Sequence, residues 1–60
     1  MWHRMTACGE VVTMERVASG AYLIETRVDG KKVKAWVYGG RAAHALYKKS
    51  PERIQSWSKK

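Results

Sequence analysis

Phenylalanine is absent, cysteine and proline occur once each, and only five acidic residues are present in a chain of 60. The lone cysteine, Cys8, excludes an internal disulfide. No segment near the N-terminus has the unbroken apolar run of a secretion signal, which predicts an intracellular, cytoplasmic location. Nothing approaches the roughly 20 apolar residues that span a bilayer, so membrane insertion is not expected. The basic segments also lack the strongly amphipathic helix that would favour adsorption to anionic lipid. His3, Cys8 and His44 have no recurrent ligand spacing, and a second cysteine for a structural zinc set is missing, so neither a metal nor another cofactor is expected. Cys8 with either histidine lacks an enclosed volume and a third orienting group. The expectation is a small buried hydrophobe at Cys8, and no enzyme.

The scarce acids are also unevenly placed. Residues 1–30 hold three Lys or Arg and four acids, a formal charge of −1, whereas residues 31–60 hold nine cations and one acid, a formal charge of +8. A concentrated positive field attracts polyanions, and nucleic acid is the commonest. A hydrophobic content of 45 %, with three Trp and three Tyr, argues for a folded unit and against a disordered basic tail. The length fits one small domain, 1–60, ordered from about Ala7 to Trp57 with loose ends at about 1–6 and 58–60. A chain this short buries only about 60 % of its unfolded surface, and a homodimer or a bound partner can supply the missing burial.

Ala21 to Tyr38 reads as a β-hairpin. Two runs rich in Val, Ile, Tyr and Trp flank Asp29-Gly30, a pair suited to a two-residue turn with positive φ. That turn pairs Val28 with Lys31, Arg27 with Lys32, Thr26 with Val33, Glu25 with Lys34, Ile24 with Ala35, Leu23 with Trp36 and Tyr22 with Val37. Alternation then sorts the side chains. Tyr22, Ile24, Thr26, Val33, Ala35 and Val37 share one face, a candidate core layer. Leu23, Glu25, Arg27, Lys32, Lys34, Trp36 and Tyr38 share the other, which is basic and aromatic. Glu25 opposite Lys34 is a mildly favourable pair that matters more for register than for stability.

Upstream, Glu10 to Val17 is a candidate strand, joined to the hairpin through Ala18-Ser19-Gly20 and rich in valine and threonine, although Met14 and Glu15 carry a competing helical preference. Gly39-Gly40 ends the hairpin, and Arg41 to Lys49 has a helix-forming composition. Ala42, Ala43, Leu46 and Tyr47 fall on one side of that helix and can dock on the sheet, while Arg41, His44 and Lys48 line another. Ser50-Pro51-Glu52 has the form of an N-cap, first-turn proline and first-turn acid, so a second short helix is predicted through Ile54 and Trp57. Those two residues can pack back on the sheet or form half of a dimer contact. The expected fold is α+β: a three-stranded antiparallel β-meander packed by a C-terminal α-helix, with a second short helix. Trp2 receives no assignment.

Candidate contacts to nucleic acid are Arg27, Lys32, Lys34, Trp36 and Tyr38 on the strands, extended by Arg41, His44 and Lys48 on the helix rim. Lysine and arginine neutralise phosphates and release counterions, while the aromatic rings offer flat surfaces to bases or sugars. Alternation leaves a second possibility open, in which Trp36 and Tyr38 lie under the helix and the lysines only solubilise an edge. Gly39-Gly40 likewise has two readings: backbone N–H groups that hold a phosphate at the helix start, or a sharp exit from the strand.

The run Gly20-Ala21-Tyr22-Leu23-Ile24-Glu25-Thr26-Arg27, then Gly30-Lys31-Lys32-Val33 and the Ala-rich helix, resembles the sheet-plus-helix DNA-binding domain of plant ethylene-response factors. The arm-binding domains of tyrosine integrases are similar in layout. The resemblance spans about residues 20–49 and implies DNA contact through Arg27, Lys32, Lys34 and Trp36. Gly9-x-Val11, Tyr22-x-Ile24-Glu25, Gly30, Ala35, Val37, Gly39 and Arg41 resemble the β-barrel of bacterial translation initiation factor one, which implies an RNA-binding, truncated barrel acting in translation. The expected function is a small basic nucleic-acid-binding protein acting on double-stranded DNA or structured RNA, with DNA favoured over RNA. A small inhibitor or adaptor that docks on an acidic protein surface is the alternative.

Overall fold

The computed structural model describes residues 1–7 and 9–58. The reading of Cys8 as a small buried hydrophobe, and the expected fraying at residues 59 and 60, lie outside the described residues. Four strands, β1 (Trp2–Met5), β2 (Val11–Ala18), β3 (Ala21–Val28) and β4 (Lys31–Tyr38), precede two helices, α1 (Gly40–Tyr47) and α2 (Pro51–Ser58). The strands form one antiparallel sheet in the order β1-β2-β3-β4. Class α+β and the meander agree with the sequence reading. The strand count does not, because the residues expected to form a loose N-terminal arm add a fourth strand.

The turn between β3 and β4 has the geometry that Asp29-Gly30 encodes, with φ of 54° and 76°. Two consecutive positive φ values twist the chain in the sense that the flanking strands need. The resulting register pairs every residue from Ala21 opposite Tyr38 to Val28 opposite Lys31, the register expected from the turn. Between β2 and β3 the chain turns at Ser19-Gly20, and a bulge shifts the register between Arg16 and Ala18. Met14 is strand, opposite Ile24, where full burial outweighs its helical preference.

Both helices pack on one face of the sheet. Val12, Met14, Ile24, Val28, Val33, Ala35 and Val37 from the strands meet Ala43, Leu46 and Ile54 from the helices in a single core. Thr26 is the buried polar residue of that face, and its hydroxyl donates to the Val11 carbonyl at 3.2 Å. Gly39 makes the strand-to-helix corner: its φ of 97° lies where a side chain is strained. Its N–H donates to the Gly20 carbonyl at 2.7 Å, so this amide serves the corner. In α2, the Ile54 N–H donates to the Ser50 carbonyl at 3.1 Å, placing Ser50 at the helix entry. Trp57 is 42 % exposed, and its indole N–H reaches the Trp36 carbonyl at 3.5 Å, a long contact that lies along the edge strand β4.

β1 is held from the helix side. Trp2 lies opposite Met14 and Arg4 opposite Val12, so both share the core face. The Trp2 ring sits edge-on to His44 at 5.2 Å and tilted to Tyr22 at 6.3 Å. Arg4 donates from Nε to the Tyr47 carbonyl at 2.8 Å, donates from its terminal nitrogen to the Lys49 carbonyl, and lies 5.5 Å from the Tyr47 ring centre. A four-residue strand has almost no local signal, and these long-range contacts are what order it.

Candidate nucleic-acid interface

Among the described residues, nothing covers the face of the sheet opposite the helices. Register and alternation send His3 and Met5 from β1, Val11, Thr13 and Glu15 from β2, Leu23, Glu25 and Arg27 from β3, and Lys32, Lys34, Trp36 and Tyr38 from β4 to this side. The five strand residues singled out from the sequence therefore come together. Trp36 is 55 % and Tyr38 78 % exposed, so neither lies under a helix. Lys32, Lys34 and Arg27 are exposed as well.

The charge on this face is graded. Arg27 stands directly opposite Lys32, and Lys34 stands opposite Glu25. The first pair is repulsive; the second is attractive, by about 0.2–1 kcal/mol at cross-strand distance. Three cations against Glu25 leave β4 and the adjoining end of β3 positive. Toward β2 the face turns acidic at Glu15, and then apolar at Val11 and Met5, which are 45 % and 69 % exposed. A shallow depression of about 350 Å³ marks this transition, lined by Val11, Thr13, Glu25, Arg27 and Lys32 among others. It opens where the β2–β3 pairing ends at Thr13 opposite Glu25.

The three helix residues divide from this group. His44 is half-buried against Trp2 and Tyr22, on the helix side of the sheet. It does not extend the strand face, because β1 widens the sheet beneath α1 and supplies rings for it to pack on. Arg41 is exposed in the first turn of α1, at the end of the molecule that carries Gly39. Lys48 follows the last turn of α1 and lines a cleft of about 620 Å³ together with Arg4, Arg27, Asp29, Lys49 and Glu52. Arg27 thus borders both hollows, and Lys48 approaches the strand cations around the turn end of the sheet. Arg4 and Lys49 received no role from the sequence. The signal for Arg4 was its alternation with Trp2, a pattern too short to weigh.

Among the described residues no three His, Cys, Asp or Glu side chains gather as a metal site. No helix there is long and apolar enough to cross a membrane. Compared with protein-family models, curated proteins and solved structures, the chain matches none.

Proposed function

We propose that this protein binds nucleic acid through the uncovered face of its sheet, DNA in preference to RNA, and performs no bond chemistry. Arg27, Lys32 and Lys34 take phosphates, and Trp36 and Tyr38 take bases or sugars. The observation that carries the reading is the convergence of these five exposed side chains on one face of the sheet. The repulsive Arg27 and Lys32 pair adds to it, because a bound phosphate converts a small folding cost into a favourable site. Lys48 contributes from the flank through the cleft it shares with Arg27.

A second reading sets the same cations against an acidic protein surface, with the exposed Met5 and Val11 on that face supplying apolar contact beside them. Salt separates the two. Binding of a labelled oligonucleotide should weaken linearly in log–log form as salt rises, by roughly 0.7–0.9 of a decade per decade for each phosphate neutralised. The double variant K32A/K34A should reduce that slope by about 1.4–1.8. An unchanged affinity and slope in the double variant rules out this site. Capture of a protein that persists at high salt and after nuclease treatment favours the second reading.

A further inference from the structure

Resting on the nucleic-acid reading above, we infer that the ligand of this face is a single strand, laid along β4 with separate bases on Trp36 and Tyr38, and not a duplex. Three features of the surface lead there. The first is spacing. Lys32, Lys34, Trp36 and Tyr38 are alternate residues of one strand, so successive outward side chains stand about 6.7 Å apart and the row runs for about 20 Å. Stacked bases in a duplex rise about 3.4 Å along each strand, half the distance between the two rings. Neighbouring bases can therefore occupy both rings only when they have been drawn apart, which a free strand permits and a stacked helix resists.

The second feature is the kind of surface offered. Trp36 and Tyr38 are 55 % and 78 % exposed, so their rings are open to solvent. Ring faces recognise base faces, and in a duplex those are covered by the bases above and below. A duplex presents only base edges in its grooves, which are read by hydrogen-bonding side chains. On β4 the outward neighbour of Trp36 is Lys34, which can take a phosphate beside a base stacked on the ring.

The third feature is where the charge stops. A major groove is about 12 Å wide, so a sheet seated in it meets a phosphate backbone on either side. Strands lie about 4.8 Å apart, which puts the second backbone two to three strands from β4, over β2 and β1. The outward residues there are Glu15, Thr13 and Val11 from β2 and His3 and Met5 from β1, none of them a lysine or arginine. Lys32 and Lys34 in one half of the β4 row, with Arg27 beside them on β3, are complementary to one backbone.

The test uses the full chain with three probes of one sequence: a 12-nucleotide single-stranded DNA, its RNA equivalent and the 12-base-pair duplex, at low salt. Both single strands should bind at least tenfold more tightly than the duplex, with the DNA strand held more tightly than the RNA; tighter RNA binding overturns the DNA preference alone. W36A and Y38A should each lower single-strand affinity about tenfold or more while leaving duplex affinity within twofold, and W36F should restore most of the loss. Both aromatic side chains are exposed, so unchanged circular dichroism and melting in these variants confirm that folding is not the cause. K32A/K34A should weaken every probe. Duplex binding equal to or tighter than single-strand binding, or W36A and Y38A acting alike on all probes, overturns the single-strand assignment and leaves the nucleic-acid reading standing. Failure of the unaltered protein to bind any of the three probes removes both.

Discussion

Replacing Arg4 with alanine removes the clasp between the first strand and the end of the first helix. The last carbonyls of a helix have no partner within it and carry the negative end of its dipole. Arg4 reaches one of them from β1, donating to the carbonyl of Tyr47, the last residue of α1, and also to that of Lys49 just beyond the helix, while its guanidinium lies over the Tyr47 ring. A hydrogen bond from a charged donor contributes about 1.5–3 kcal/mol. The dipole adds about 0.3–1 kcal/mol, and the ring contact about 0.5–1 kcal/mol at a partly exposed site. These contributions belong to one group and overlap, and the bond to Lys49 is exposed, so R4A should cost about 2–3 kcal/mol. A domain of this size has only roughly 3–9 kcal/mol of total stability. The loss should thus lower the melting temperature by roughly 10–20 °C. Urea unfolding followed by far-ultraviolet circular dichroism measures it directly. R4K keeps the charge without the planar fork and should recover about half of the loss. If R4A unfolds within about 0.5 kcal/mol of the unaltered protein, below any of the hydrogen-bond estimates, then Arg4 does not hold β1 to the helix layer.

Further outcomes follow from the core and the corner. Ile54 is fully buried between α2 and the sheet, so I54A should cost about 2–5 kcal/mol in the same urea assay. A loss under about 1 kcal/mol would mean that α2 is not docked. Gly39 has open space where a methyl group would sit but a φ of 97°, so G39A should destabilise through backbone strain alone, by about 1–3 kcal/mol. A neutral G39A would show that the corner can re-form with ordinary φ.

The two halves of the hairpin show how far local chemistry reaches. Asp29 and Gly30 tolerate positive φ, and a two-residue turn with that geometry admits one register, so the side-chain partition from Tyr22 to Tyr38 follows at once. Lys32, Lys34, Trp36 and Tyr38 were legible as a set for this reason. The face they would occupy was not, because each side of the hairpin carries aromatic and aliphatic residues that a helix could cover. His44 shows the opposite case. A helical wheel groups it with Arg41 and Lys48, but a wheel knows nothing of the strand underneath, and Trp2 and Tyr22 draw the imidazole onto the sheet.

Turn chemistry and two-residue periodicity act between neighbours in the chain, so the hairpin, its register and the common direction of its basic and aromatic residues are written in residues 21–38. The fourth strand and the choice of covered face depend on contacts between distant segments. Arg4 meets Tyr47 and Lys49 across more than forty residues, and Ala43, Leu46 and Ile54 close over one sheet face only once Gly39 has turned the chain. Burial of apolar area is non-directional and summed over the whole molecule. Which sheet face remained exposed was therefore decided by the packing of all the elements together, and by no single stretch of the chain.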